Sequence, residues 1–267
     1  MPTKADLDLI NYLSVCEEEV PLTLMQMMDT IFSLDVKDFK VYKSTHDIPK
    51  KSTAERQELS EKIVCQLRYF GSNNIAYTIR NICTDEPGVS YNEMLRDVLK
   101  ILQKRLKVKA EIPLIASVAD YERMLCETLL HMEFAGKTEE EIVEALEDSG
   151  LDKEAIEQAA QEFVKVGTTG GSIIYLAKLL GKKAVKELVH RAIVWIVAKK
   201  LSKEAAERIA VEILKKTTQK TIAKIVSGVG WILLAYDIAE LGRPATRITI
   251  PCVSLIASVR TMDRLKE

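Results

Sequence analysis

Apolar residues recur every three to four positions through most of the chain and few stretches alternate strictly, so the sequence predicts an all-α, multi-helix bundle. Near the start, 4–13 and 22–34 read as helices parted by Glu17, Glu18, Glu19 and Pro21. The stretch 35–42 reads as a short extended piece, and 42–51, with Pro49, as an exposed linker. Leu59, Ile63, Leu67 and Phe70 mark one face of a helix that stops at Gly71. A second, 74–83, opens behind polar Ser72, Asn73 and Asn74.

Asp85-Glu-Pro-Gly88 is a turn. Ser90 with Glu93 then forms a capping box, in which each side chain satisfies a backbone N–H of the other, and the helix should run to Val108 with Leu95, Val98, Leu102 and Leu106 inward. Pro113 precedes a helix expected over 115–135 with Leu125, Leu129 and Met132 on one side. Thr138 with Glu141 is a second capping box, and Gly150-Leu-Asp152 separates that short helix from the next, 153–166. Beyond Gly167-Thr-Thr-Gly-Gly171 the pattern gives helices over 173–180, 182–200, 203–216 and 219–240. Gly242-Arg-Pro244 breaks it, and Thr249 is expected to cap a last helix with Pro251 in its first turn.

Charge changes this picture. Residues 1–164 carry 19 Lys/Arg against 31 Asp/Glu, whereas 165–267 carry 19 against 8, inside a formal total of −1. Glycine density and the sign of the charge change together at 167–171, which suggests three segments: 1–51, an N-terminal helical segment and linker; 52–166, an acidic helical domain; and 167–267, a basic, apolar region. That last region holds both tryptophans and the longest uncharged apolar runs, 225–236 and 248–259, which read as a helical hairpin. Within it Gly228 and Gly230 are costly in a helix, at about 1 kcal/mol each relative to alanine, unless something packs close.

Candidate chemistry is sparse. Gly136-Lys-Thr138 has the tail of a phosphate-binding loop, but His131 stands where the leading glycine belongs. His131-Met-Glu133 mimics the H-x-E of zinc deaminases and lacks their cysteine partners. His46, His131 and His190 share no ligand spacing, and Cys16, Cys65, Cys83, Cys126 and Cys252 form no CxxC pair, so neither metal nor cofactor is expected. No nucleophile motif occurs, so the chain reads as a non-enzyme. The cationic half is interleaved with apolar residues and has no nucleic-acid-binding signature, so nucleic acid is not expected. No signal peptide is read at the start, and no uncharged apolar span reaches 18–20 residues: 221–241 is interrupted by Lys224, Asp237 and Glu240. The expected location is the cytoplasm, peripheral to an inner membrane.

Two groups of motifs resemble the YaaW family of uncharacterised bacterial proteins. The first comprises Leu67-Arg-Tyr-Phe-Gly-Ser-Asn-Asn-Ile-Ala-Tyr-Thr-Ile-Arg80, Gly88-Val-Ser-Tyr-Asn-Glu-Met-Leu-Arg-Asp-Val98 and Lys104-Arg-Leu-Lys-Val-Lys109. The second comprises Val229-Gly-Trp-Ile-Leu-Leu-Ala-Tyr-Asp-Ile-Ala239, Arg243-Pro-Ala-Thr-Arg-Ile-Thr-Ile-Pro-Cys-Val253 and Ile256-Ala-Ser-Val-Arg260. Phe70, Gly71, Asn74, Arg80, Tyr91, Asp97, Arg247 and Pro251 match motif positions, and Arg80 with Asp97 reads equally as an internal ion pair or a contact site. Residues 54–165 also resemble, more weakly, assembly chaperones of the cytochrome b subunit of the respiratory complex. That resemblance implies a non-catalytic helical domain with a hydrophobic client near a membrane.

The expected function is therefore binding of an anionic membrane surface or a membrane-protein client. The expected contacts are Lys182, Lys183, Lys186, Trp195, Lys199, Lys200, Trp231 and Ile232. A membrane-inserting effector that sequesters the hairpin 222–241 and 248–259 is the alternative, and a soluble protein–protein adaptor the third. Homo-oligomerisation is left open.

Overall fold

The computed structural model describes residues 2–16, 19–35, 52–71, 88–106, 111–134, 137–147, 152–166, 173–198, 203–214 and 244–265. Among them every regular element is a helix: α1 (Lys4–Val15), α2 (Glu19–Asp35), α3 (Thr53–Gly71), α4 (Tyr91–Leu106), α5 (Val118–Phe134), α6 (Glu139–Glu147), α7 (Lys153–Val166), α8 (Ile173–Leu179), α9 (Lys182–Ala198), α10 (Lys203–Ile213) and α11 (Pro244–Arg264). The all-α expectation holds. The linker over 42–51, the helices 74–83 and 219–240 and the break at 167–171 lie outside the described residues, as does 36–42 of the expected extended piece.

The chain divides into two compact units, residues 1–95 with 196–253, and 96–195 with 254–267. Both sides of Gly167–Gly171 fall in the second unit. In the first, α1 lies against α3, and α2 packs on α3 and α10. Leu9 and Leu13 from α1, Leu24 and Met27 from α2, and Ile63 and Leu67 from α3 are almost fully buried. Each contributes about 1.5–3 kcal/mol of transfer free energy from water. In the second unit α6 lies against α7, and both α5 and α7 reach α8. Its interior includes Leu125, Leu129, Ile142, Leu146, Ala160, Leu176, Val189 and Ile193.

Helix starts follow side-chain caps. Ser90 N donates to Glu93 Oε2 at 3.0 Å while Glu93 N donates to Ser90 Oγ at 3.3 Å. The Thr138–Glu141 pair repeats this, with Thr138 N to Glu141 Oε2 at 2.8 Å and Glu141 N to Thr138 Oγ1 at 3.3 Å. Between α8 and α9, Gly181 takes a φ of 80°, the left-handed conformation that glycine adopts without a Cβ penalty.

Three helix starts differ from the sequence reading. Helix α2 begins at Glu19 with Pro21 inside its first turn, where a proline displaces no intrahelical hydrogen bond. Helix α5 begins at Val118, not at 115, because Ser117 and Asp120 form a capping box: Ser117 Oγ donates to Asp120 Oδ2 at 2.6 Å and Asp120 N to Ser117 Oγ at 3.1 Å. Helix α11 begins at Pro244, so the proline pre-set for the first turn is Pro244, and neither Thr249 as a cap nor Pro251 as a first-turn residue applies. Pro251 sits inside α11 and removes one i to i−4 hydrogen bond there.

Candidate functional site

Lys182, Lys183, Lys186 and Trp195 all lie on α9. Lys183 is exposed, while Lys182, Lys186 and Trp195 are half-buried. Nine positions separate Lys186 from Trp195, which at 3.6 residues per turn places them about half a turn apart around the helix. The helix therefore gathers the three lysines on one side and sets Trp195 on the other. Lys199, Lys200, Trp231 and Ile232 lie outside the described residues. One neighbour of the lysines escaped the sequence reading. Ile174 and Tyr175 of α8 are 39% and 44% exposed, and Lys178, Lys182, Lys183 and Lys186 follow them with no carboxylate before Glu187.

The matched motif positions have structural partners in the first unit. Phe70 is buried; a Cβ on Gly71 would lie 2.7 Å from Met94 Cγ, and one on Gly88 would lie 2.7 Å from Arg68 Cβ, so both glycines permit close approach. Tyr91 is fully buried, and its N–H donates to Asp6 Oδ1 at 2.9 Å. Asp97 is exposed and faces Lys100 of its own helix at 3.9 Å. Pro251 is buried in α11, and Asn74 and Arg80 lie outside the described residues, as does the side chain of Arg247.

The sequence reading missed the buried charges. Asp6, fully buried, lies 3.5 Å from Arg68 Nε. Glu122, also fully buried, lies 3.2 Å from Arg260 Nε and 2.5 Å from Arg264 Nη2. Glu133 is mostly buried, 3.3 Å from Arg191 and 3.9 Å from Lys137. Glu127 accepts the Ile173 N–H at 3.2 Å at the head of α8. Each carboxylate ties together helices distant in sequence. Burial pushes the Cys126 thiol up to about 12, opposed by its hydrogen bond to Thr261, and drives Cys252 higher still, so both remain thiols. Burial lowers His131, which favours its neutral form. No group of three His, Cys, Asp or Glu suited to a metal occurs among the described residues. An open cleft of about 310 Å³ is lined by Glu139, Glu140, Val143, Glu144, Glu147 and Glu157.

Glu133 gives a pH-dependent expectation. Burial raises its carboxyl above the ordinary 4.5, with Arg191 and Lys137 opposing. Because the folded state then holds the proton more tightly than the unfolded chain, the contribution to stability is complete below 4.5 and is lost as pH rises through the raised value. Denaturant melts of wild type and Glu133→Gln across acidic to neutral pH should show the wild type losing ground to the variant as pH rises, by about 1.4 kcal/mol for each unit of displacement. The opposite slope would mean that Arg191 outweighs burial.

Comparison of the chain with protein-family models, with curated proteins and with solved structures finds no match in any of the three. No helix among the described residues is long and apolar enough to cross a membrane.

Proposed function

We propose that this protein is a non-enzymatic helical binder of an anionic membrane surface, or of a hydrophobic client held there, acting through the cationic stretch of its C-terminal half. The supporting observation is the exposed pair Ile174 and Tyr175 ahead of Lys178, Lys182, Lys183 and Lys186. Cations near anionic lipid contribute on the order of 1 kcal/mol each, and exposed apolar side chains add burial at the headgroup boundary. Trp195 faces away from the lysines on α9, so it belongs to a separate contact or to packing.

The test is co-sedimentation with vesicles. The full chain should bind phosphatidylcholine vesicles containing phosphatidylserine, hardly bind pure phosphatidylcholine, and be released by salt. Replacing the exposed Lys178 and Lys183 by Gln should weaken binding about fivefold for each charge removed. Equal binding to neutral vesicles in high salt would sink the electrostatic reading. Vesicle contents should stay enclosed, because a peripheral binder leaves the bilayer sealed, whereas an effector that inserts 222–241 and 248–259 releases them. Residues 248–259 are buried in α11, so such an effector would first have to expose them.

A further inference from the structure

The loop between α4 and α5 displays the two most exposed large aliphatic side chains among the described residues, Leu114 at 80% and Ile115 at 95%. The neighbouring Pro113 is exposed as well. An isolated exposed aliphatic residue is ordinary on a protein surface, but two consecutive ones held clear of it are not. Here the backbone is fixed on both sides of the pair. Tyr121, fully buried, donates its hydroxyl to Pro113 O at 2.6 Å, and Ser117 is locked into the cap of α5 through Asp120. The geometry therefore presents Leu114 and Ile115 on a short, braced span, with Ala116 the single residue between Ile115 and the cap.

We infer that Leu114 and Ile115 are an anchor that enters the interfacial region of an anionic bilayer. This rests on the membrane reading above and adds to it an inserting element outside the basic half. Charge complementarity selects the occupant. The chain immediately ahead of the loop, 100–109, contains Lys100, Lys104, Arg105, Lys107 and Lys109 and no carboxylate. Of these, Lys100 and Lys104 are exposed on the last turns of α4, Lys100 lying 3.9 Å from Asp97. Glu111 is the sole acid of the loop itself, and Asp120 beside the cap is matched by Arg123 at 3.0 Å. Size argues the same way. Two aliphatic side chains fall far short of the roughly 800 Å² per partner that a stable protein interface buries. Membrane anchoring, in contrast, works by joining one weak apolar element to a polybasic one, neither sufficient alone. The pinned backbone removes much of the ordering cost that a floppy loop would incur on insertion.

The experiment uses the full chain with phosphatidylcholine vesicles containing phosphatidylserine. Leu114→Ser with Ile115→Ser should weaken binding by about tenfold or more, since each side chain loses its burial in lipid. The melting temperature and the salt dependence should stay as in wild type, because both positions are exposed and uncharged. Ile115→Trp should gain fluorescence that brominated lipid quenches in the vesicle-bound protein. If the wild type binds these vesicles and the double serine variant binds equally well, or the tryptophan goes unquenched, the anchor is wrong while the electrostatic reading stands. If the double variant instead alters the mass of the protein in sedimentation and leaves vesicle binding unchanged, the pair is a contact between copies and the inference is overturned. If the wild type does not bind at all, the membrane reading and the anchor fall together.

Discussion

Replacing Glu122 by Gln should lower the unfolding free energy by about 3 kcal/mol in denaturant melts, one of the two largest losses expected from a single polar change in this chain. The carboxylate is fully buried and faces Arg260 Nε at 3.2 Å and Arg264 Nη2 at 2.5 Å. Glutamine keeps the shape but removes the charge, so the Arg260 side chain, itself 11% exposed, loses the attraction of the Glu122 carboxylate in a poor solvent for cations. Arg264 is 37% exposed and turns more easily to water, which holds the cost below that of two fully buried cations. A paired variant checks the cause. Glu122→Leu with Arg260→Met should recover most of the loss, because replacing both partners by apolar groups removes the desolvation along with the attraction. A single variant within about 0.5 kcal/mol of wild type, the range of an ordinary surface change, would show that Glu122 is not holding α5 to α11.

Much of the helical order is legible in the sequence because it is set locally. The span 153–166 coincides with α7, and the capping boxes at Ser90 and Thr138 lie where α4 and α6 begin. The misread start of α5 has a local cause as well. Pro113 followed by Leu114 and Ile115 looks like an entry into an apolar helix face, yet Ser117-Val-Ala-Asp120 is the stronger signal, and α5 waits for it. Ile115, assigned to that helix, stands in solvent instead.

The buried charges are illegible for a different reason. Arg264 meets Glu122 across 142 positions, and no short-range pattern brings them together. A trace does exist in retrospect. Arg260 and Arg264 stand four apart on a helix whose preceding positions, from Ile248 to Val259, are all buried, and cations on such a helix call for an acid opposite. The charge division at residue 165 does not coincide with the boundaries of the compact units. The compact units take residues from both sides of it, because packing follows apolar faces, and charge sits mostly on what those faces leave uncovered.

Asp6→Ala should cost about 4 kcal/mol, measured by urea or thermal unfolding, because one side chain serves α1, α3 and the start of α4 at once. Its Oδ2 accepts from the Thr3 N–H and hydroxyl, both at 2.8 Å, closing the capping box of α1. Its Oδ1 accepts the Tyr91 N–H at 2.9 Å, at the first position of α4. Arg68 of α3 lies 3.5 Å away and is 14% exposed. Loss of a cap costs about 1 kcal/mol, a buried donor deprived of its acceptor about 1–3, and a broken buried ion pair about 3–5. These share a single carboxylate and are not additive, which sets the expected total near the ion-pair range. Asp6→Asn should cost less, since the amide oxygen still accepts one N–H while the charge facing Arg68 is gone. Asp8→Ala, at an exposed position two residues along the same helix, should stay within about 0.5 kcal/mol of wild type. Amide exchange at Tyr91 supplies the local readout: in Asp6→Ala it should quicken more than exchange in the middle of α3, because the acceptor removed is its own. Protection of Tyr91 unchanged in Asp6→Ala, or a melt matching that of Asp8→Ala, would show that Asp6 caps α1 and does not hold α1, α3 and α4 together.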